Sequence, residues 1–263
     1  MSFKISSVLV LPLAALFTGS LFLGCSIRED RNSCPCVVRL DVEEAVARAG
    51  SEVLLMVWNQ AGELIRRDTL PPGTSHWSFG VERGAIRLGL FSSLSLPLDD
   101  GSIVIPRGAD CPEVLLDVVS ADASGELLEY QADFQKPYCN LEVEVSGLGG
   151  GFPFDLVFQG GVAGFDGDGH PSAGEFAADA AVDASGVYSI CIPRQTDSSL
   201  MMEIVDDLGI ARTFAIGEIL SGAGYDWTQK NLEDRKIVLD YSRTRMTLGV
   251  SGYADSGTFE VVL

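Results

Sequence analysis

The chain's capacity for covalent and ligand chemistry rests on six cysteines, two histidines and a few acidic, glycine-rich loops. The first cysteine, Cys25, follows Gly24 and an apolar stretch that runs from Val8 to Leu23 behind the single cation Lys4. This order of cation, apolar core and small residue is the layout of a secretory signal. The stretch is too short and too often interrupted to be a good transmembrane span.

The segment Leu21-Phe22-Leu23-Gly24-Cys25 resembles a lipobox, with Phe22 in place of the usual leucine. The small Gly24 lets the signal peptidase approach, and the Cys25 thiol accepts a diacylglyceryl group. We therefore predict that residues 1–24 are a lipoprotein signal peptide and that Cys25 is the acylated, palmitate-bearing N-terminus. The alternative is an ordinary secretory signal that is cut elsewhere, with Cys25 removed or disulfide-bonded.

Residues 25–33 are polar and without periodicity, which is typical of a solvated tether. Their Glu29-Asp30 pair resembles the acidic signal that sends some lipoproteins to the outer face of the outer membrane. A plain soluble linker is the alternative interpretation. We expect a lipid-anchored protein of the outer membrane, exposed at the cell surface.

The five remaining cysteines are an odd number in a compartment that permits disulfides, so at least one thiol stays outside any intrachain bridge. They are Cys34, Cys36, Cys111, Cys139 and Cys191. The first two are separated by Pro35 alone, unlike the spacing of redox and zinc sites, and two histidines offer little further ligation. We predict no structural zinc and leave the pairing open, with a bridge from the first two to Cys111 or Cys139 as one guess.

One acidic loop could bind a hard cation. Asp166 and Asp168 lie in Asp-Gly-Asp-Gly-His, with Glu175 nearby, and carboxylate oxygens are the ligands that calcium prefers. The EF-hand pattern fails, however, because its glycine is displaced and Ala177 occupies the twelfth position. We favour a turn between strands, in which Asp and Gly serve the backbone, and predict no metal and no cofactor.

Three tryptophans could form a platform for sugar rings. Trp58 ends an apolar run and Trp227 lies in a Tyr-Asp-Trp sequence, so both are expected to be core or packing residues. Trp77 follows a Pro-Pro-Gly turn and is the most exposed candidate.

Composition and motifs argue against two large classes of function. Removal of residues 1–24 leaves 17 basic and 37 acidic residues, a formal charge of −20, which repels nucleic-acid phosphates. The sequence has no nucleophile elbow, zincin helix or phosphate-binding loop, and two histidines leave little material for a general base. A pair of carboxylates could run glycoside hydrolysis, but 37 acidic residues make a chance pair nearly inevitable. We predict that the protein is not an enzyme.

Short strands spaced by about ten residues account for most of the mature chain. Cys36–Val42 alternates apolar and polar residues, and Val53–Trp58 with Glu63–Arg66 predicts a hairpin. The alternation restarts at Asn140, so we place one β-sandwich at 34–139 and a second at 140–263. Only Glu43–Ala49 and the region of Glu218–Leu220 are predicted to be helical.

Three landmarks together resemble one family. They are the lipid-bearing Cys25 with its short acidic tether, the Cys34-Pro35-Cys36 step into a strand, and a C-terminal block that includes Tyr225, Asp226, Trp227, Asp240 and Tyr241. The chain is similar to the fimbrial anchor lipoproteins of fimbrillin-class (type V) pili from Bacteroidetes-type bacteria. The resemblance spans nearly the whole chain, although the middle matches only in strand rhythm.

The resemblance implies two tandem transthyretin-like β-sandwiches, an outer-membrane lipid anchor and a place at the base of a pilus. There the anchor would hold a fimbrillin-like subunit and limit shaft length, with subunits joined by β-strand pairing. No catalytic residue is carried over. The tail from Met246 to Leu263 is expected to form a terminal strand, either docked on its own second domain or used in subunit contact. A surface glycan-binding lipoprotein that uses exposed aromatic residues is the alternative function.

Overall fold

The computed structural model describes residues 34–146, 154–205, 209–240, 245–251 and 256–262. The predicted signal peptide at 1–24, the tether at 25–33 with Cys25, and the motif residue Tyr241 lie outside these ranges. In the described part of the chain, no helix is long and apolar enough to cross a membrane.

β-strands dominate the described residues, and the two helices found there are short. The helices are α1 (Glu43–Ala49) and α2 (Ile216–Gly222). The strands are β1 (Cys36–Asp41), β2 (Val53–Asn59), β3 (Leu64–Leu70), β4 (His76–Val81), β5 (Ala85–Phe91), β6 (Ile103–Val104), β7 (Leu116–Asp122), β8 (Leu127–Gln131), β9 (Tyr138–Ser146), β10 (Asp155–Phe165), β11 (Pro171–Asp179), β12 (Ala181–Val182), β13 (Val187–Pro193), β14 (Met201–Val205), β15 (Ala211–Phe214), β16 (Arg235–Asp240), β17 (Arg245–Ser251) and β18 (Ser256–Val262).

The described strands form four sheets. Sheet I has the order β4-β1-β8 and sheet II the order β3-β2-β5-β7. Sheet III has the order β11-β10-β14-β15, with β6 also paired to β10, and sheet IV has the order β12-β13-β9-β16-β17-β18. Two of the described strand pairs are parallel. They are β1 with β8 in sheet I and β9 with β16 in sheet IV.

Side-chain alternation explains the strands that bury one face. In β1, Cys36, Val38 and Leu40 are buried, while the residues between them are exposed. This period of two is what a half-buried strand requires. The helix α1 ends at Gly50, whose φ of 63° is the left-handed conformation that glycine adopts without steric cost.

Strand β2 is apolar on both faces because both of its faces are covered. Leu54, Met56 and Trp58 belong to a large hydrophobic cluster that continues into sheets III and IV. The alternate residues Val53, Leu55 and Val57 belong to a second cluster beneath sheet I. Sheet II is therefore the middle layer between two cores, and its central strand is a continuous apolar run.

The predicted all-β fold of two tandem transthyretin-like sandwiches is confirmed. The larger cluster draws residues from both sides of position 140, and Pro35–Leu263 form one compact unit. The division into domains at 34–139 and 140–263 stays a prediction.

The structure contains the predicted local elements, with bounds set by their neighbours in the chain. The helix predicted in the region of Glu218–Leu220 spans Ile216–Gly222, so the preceding strand β15 ends at Phe214. The predicted β2–β3 hairpin is present, with antiparallel pairing from Val53 opposite Leu70 to Trp58 opposite Leu64. The predicted strand at the C-terminal tail is a hairpin, in which β17 pairs with β16 and β18 pairs with β17.

Candidate functional site

The strand nearest the tether lies inside a sheet. β1 begins at Cys36, directly after the segment that carries Cys25, and it pairs with β4 on one side and β8 on the other. Its buried side chains Cys36, Val38 and Leu40 are fully excluded from solvent. Force applied to the N-terminus would therefore meet two ladders of backbone hydrogen bonds and a packed apolar face.

The strand nearest the C-terminus lies at the edge of a sheet. β18 pairs with β17 along seven residues, from Ser251 opposite Ser256 to Arg245 opposite Val262. Among the strands that the structure describes, none pairs with the other side of β18. An edge strand presents unpaired N–H and C=O groups that can accept a strand from another chain. The opposite edge of sheet IV is β12, which has only two residues.

The aromatic residues of the C-terminal motif are packing residues. Tyr225 and Trp227 are buried and meet edge to face, with ring centroids 4.7 Å apart. The Tyr225 hydroxyl donates to the Glu233 carbonyl at 3.0 Å, and burial raises the pKa of Tyr225 well above its ordinary value. Asp226 accepts the Thr228 N–H at 2.8 Å, which is a turn contact. Of the remaining motif residues, the Asp240 backbone pairs with Ser146 in sheet IV.

The side chains of Arg194 and Asn231 form hydrogen bonds between the loop at 225–231 and distant parts of the chain. Arg194 donates to the Trp227 and Lys230 carbonyls, both at 3.0 Å. Asn231 accepts from the Arg48 guanidinium at 2.7 Å and from the Lys136 N–H at 3.0 Å. Asn231 therefore joins this loop to α1 and to the segment before β9, and Arg194 joins it to the segment after β13.

The segment between β5 and β7 crosses to the C-terminal half of the chain. β6 pairs with Gly164 and Phe165 in β10, and the Ile105 N–H donates to the Ala163 carbonyl at 2.9 Å. At Gly164, whose φ is 147°, an added Cβ would lie 2.0 Å from the Ile103 carbonyl oxygen. This close approach of two backbones requires glycine.

The acidic loop Asp166–His170 is the turn between β10 and β11. Asp166 accepts the N–H groups of Asp168 and His170, both at 2.9 Å, as expected of a turn aspartate. Asp168 forms a 3.0 Å ion pair with Arg87. Among the described residues, no group of three or more His, Cys, Asp or Glu side chains is arranged to hold a metal.

The tryptophans do not share an exposed face. Trp58 is fully buried, its indole N–H donates to the Asp99 carbonyl at 2.7 Å, and the Arg87 guanidinium lies 4.3 Å from its ring. Trp227 is also buried. Trp77 is half-buried, and its indole N–H donates to Asp68 at 3.1 Å.

The cysteines divide between the two cores. Cys36 belongs to the cluster beneath sheet I, whereas Cys111, Cys139 and Cys191 belong to the larger cluster. Cys34 is exposed at the start of the described chain. Burial raises the pKa of the Cys139 thiol to about 11, and this thiol contacts the Tyr225 hydroxyl.

A buried carboxylate links β7 to β8. Both Asp117 oxygens lie within 3.0 Å of the Tyr130 hydroxyl, and one accepts the Asp133 N–H at 2.8 Å. Burial raises the pKa of Asp117 above its ordinary value, against the Asp133 N–H, the Tyr130 hydroxyl and the charge of Lys230, which lower it. Lys230 forms an ion pair with Asp133, so the C-terminal half also contacts this network.

We expect Asp117→Asn to raise the free energy of unfolding at pH 7, because the amide keeps an acceptor for the Asp133 N–H and removes a buried charge. A raised pKa means that the folded chain binds this proton more tightly than the unfolded chain. The buried charge therefore lowers the free energy of unfolding at pH values above the pKa of the folded chain. This loss of stability disappears as the pH falls towards about 3.9, the ordinary pKa of an aspartate. Urea unfolding of variant and wild type at several pH values should show their difference narrowing with acid.

Two further variants test the cause of this effect. Asp117→Ala should lower the free energy of unfolding by about 1 to 3 kcal/mol at pH 7, since it leaves buried donors unsatisfied. Asp122→Asn on the same strand should change the free energy of unfolding in the opposite direction at pH 7, and this change should also disappear in acid. The reason is that the hydrogen bonds from Ser124 hold the pKa of Asp122 below its usual value. If the free energies of unfolding of Asp117→Asn and wild type differed by the same amount at every pH, the raised pKa of Asp117 would be excluded as the cause.

Sequence reasoning did not identify Arg87, Arg194 or Asn231 as joining residues. Arg194 lies 36 positions from its partner Lys230, and Asn231 lies 183 positions from its partner Arg48, so no local spacing reveals these contacts. An aspartate inside the apolar run Val114–Val119 was the one local signal for the Asp117 network.

Several solved bacterial protein structures share the fold of this chain. No family model and no curated protein sequence matches the chain. Solved structures do match. A Bacteroides thetaiotaomicron protein provisionally described as polysaccharide-binding aligns with a TM-score of 0.64 at 9% identity, over 85% of this chain and 98% of the other.

Two further structures match with similar coverage. A Bacteroides ovatus protein provisionally described as an adhesin aligns with a TM-score of 0.61 at 13% identity, over 86% of this chain and 96% of the other. The fimbrial anchor protein Mfa2 from Porphyromonas gingivalis aligns with a TM-score of 0.58 at 8% identity, over 85% of this chain and 99% of the other. The resemblance to the fimbrial anchor family is thus confirmed at the level of the fold, and this chain has the fold of a fimbrial anchor protein.

Proposed function

We propose that the protein is an outer-membrane lipoprotein that anchors a pilus at its base and binds the adjacent pilus subunit by β-strand pairing. The observation that carries the proposal is the position of the first and last described strands in their sheets. The N-terminal strand β1 is inserted between β4 and β8, and the C-terminal strand β18 is an edge strand of sheet IV. The position of β1 is suited to holding the lipid tether, and the position of β18 is suited to accepting a partner strand.

Insertion of β1 matters because of the load that an anchor bears. Acyl chains on Cys25 would fix the N-terminus to the bilayer, and any pull on the pilus would pass through the tether to β1. Antiparallel and parallel ladders flank this strand, and Arg39 adds a 2.8 Å ion pair to Glu129 on β8. Extraction of β1 would also expose the apolar residues Val38 and Leu40, which are fully buried.

The β18 edge supports strand pairing as the mode of subunit binding. Backbone groups along its outer side can form a further ladder, and alternate side chains of an added strand can fill apolar sites. The sequence Thr258-Phe259-Glu260-Val261-Val262 has the β-branched and aromatic composition that strand pairing favours. A fimbrillin-like subunit with a donor or acceptor strand is the expected partner.

The glycan-binding alternative has one observation in its favour, which is the fold shared with the Bacteroides thetaiotaomicron protein provisionally described as polysaccharide-binding. The aromatic residues weigh against it. Trp58 and Trp227 are buried, and only Trp77 is partly accessible. A sugar platform needs ring faces that are open to solvent.

Deletion of the gene tests the anchor function directly. We expect cells without the protein to shed their pili or to carry pili of abnormal length in electron micrographs, and we expect the wild-type gene to restore them. A gene that lacks residues 256–263 should yield an envelope-bound protein that fails to restore pilus retention. Normally attached pili of normal length in the deletion strain would contradict the proposal, and loss of oligosaccharide binding would favour the alternative.

A further inference from the structure

Two buried cysteines from distant parts of the chain face each other. Cys111 and Cys191 are 2% and 7% exposed, respectively, and lie 80 positions apart in the sequence. The Cys111 N–H donates to the Cys191 carbonyl at 3.0 Å, so the two backbones run side by side at this point. The two thiols lie close enough to interact, and the Cys111 thiol also donates to the Pro112 carbonyl at 3.6 Å.

The contact lies at the end of the crossover segment, which we define as residues 103–113. This segment bonds first to sheet III, where the Gly108 N–H donates to the Ala177 carbonyl at 2.6 Å. It then reaches sheet IV at Cys191, and the Glu113 carboxylate accepts the Asn140 amide at 2.9 Å. Successive contacts on both sides of Cys111 therefore hold it over β13 and β9.

Sheet register separates this pair from the other buried cysteine of the same core. Cys191 stands opposite Asn140, while Ile192 stands opposite Cys139. Because neighbouring residues of a strand point to opposite faces, Cys139 and Cys191 lie on opposite faces of sheet IV. The Cys139 thiol contacts Tyr225 on its own face, and Cys36 belongs to the other hydrophobic cluster.

We propose that Cys111 and Cys191 form a disulfide bond in the exported protein, which fastens the crossover segment to sheet IV. Each thiol gives up its proton, one S–S bond forms, and two electrons pass to the disulfide of a thiol–disulfide oxidoreductase of the cell envelope. That disulfide breaks and takes up two protons to become a dithiol. The proposal rests on the export that the proposed function includes, since a reducing compartment would keep both thiols reduced.

Bond formation is expected while the chain is still folding. In the folded protein both sulfurs are shielded, and contact with Cys111 together with burial raises the pKa of the Cys191 thiol far above its ordinary value. A protonated, shielded thiol is a poor nucleophile, so exchange after folding would be slow. The finished bond would close a loop that contains β7 to β12, and closing a long loop restricts the unfolded chain strongly.

The test uses full-length protein that is expressed in its bacterial host and isolated from the envelope with an alkylating reagent under denaturing conditions. Cleavage on the amino side of aspartate yields peptide 110–116 with Cys111 and peptide 183–196 with Cys191. Mass spectrometry should find these two peptides linked before reduction and separate after it. Cys139 lies in a third peptide, 133–154, and should be alkylated.

Thermal unfolding provides a second readout. Reductant should lower the melting temperature of the wild type by on the order of 10 °C. The same shift should persist in Cys139→Ser and should vanish in Cys111→Ser and Cys191→Ser, whatever their own stability. Alkylation of both Cys111 and Cys191 in the wild type without prior reduction would overturn the proposal. The mass of the N-terminal peptide in the same digest reports acylation of Cys25, so failure of the disulfide is distinguished from failure of export.

Discussion

Cys25→Ser should abolish acylation of the protein and its attachment to the outer membrane. Each buried methylene of an acyl chain contributes about 0.8 kcal/mol, and one chain alone holds only marginally, so firm attachment requires the two or three chains of a processed lipoprotein. Serine offers no thiol for the diacylglyceryl group. Metabolic labelling with palmitate and fractionation of the envelope would measure the loss, and pili of this strain are expected in the culture medium.

The matched control is Cys34→Ser, nine positions further along the chain. Cys34 is exposed and lies after the predicted tether, so its replacement should leave palmitate labelling and fractionation unchanged. Palmitate that remains on the Cys25→Ser protein would show that the lipid is attached elsewhere. An unmodified N-terminus on the wild-type protein would favour the ordinary secretory signal and remove the basis for the anchor.

Trp58→Ala should lower the free energy of unfolding by about 3 to 5 kcal/mol, the range for large aromatic residues in a core. The ring is fully buried, and an added Cβ at Gly89 would lie 2.9 Å from it, so the ring fills the space that this glycine leaves. Its removal also leaves the Asp99 carbonyl without the indole donor and the Arg87 guanidinium without the ring beneath it. Urea denaturation would measure the change.

Two further variants separate a packing role from a sugar platform. Trp58→Phe keeps an aromatic ring and loses the hydrogen bond, so we expect a smaller cost of about 1 to 2 kcal/mol. Trp77→Ala, at a half-buried position, should cost about 1 kcal/mol. If Trp77→Ala or Trp58→Phe removed binding of an oligosaccharide while the fold remained intact, the glycan-binding alternative would replace the anchor. A cost near zero for Trp58→Ala would contradict its position in the core.

The candidate site was only partly predictable from sequence. The terminal strand at the C-terminus was expected from its alternation, but its position at the edge of sheet IV depends on pairing with β17 and β16. The Asp166–His170 loop was expected to be a turn, whereas the ion pair of Asp168 with Arg87 joins residues 81 positions apart. The spacing of adjacent residues predicts a turn, because the hydrogen bonds that close a turn come from its own residues. It does not predict which distant strand lies next to that turn.

The sequence by itself determined the local elements of this protein. Alternation along Cys36–Asp41 specifies a half-buried strand, and Asn59–Gly62 between two apolar runs specifies a hairpin, because backbone geometry imposes a period of two and a short list of turn residues. The segment that ends at Cys25 resembles a lipobox and is likewise a local pattern, which we expect the processing enzymes to recognise from a few adjacent residues.

Only the tertiary structure decided how these elements combine. The parallel pairing of β1 with β8, the crossing of β6 to β10 and the meeting of Cys111 with Cys191 each join positions that are far apart in the chain. The apolar run Val53–Trp58 is compatible with a strand that is covered on one face or on both. In the structure both faces are covered, because alternate residues of this run belong to two different cores. The physical reason is that burial depends on which surfaces pack together, and packing is settled by the whole chain at once.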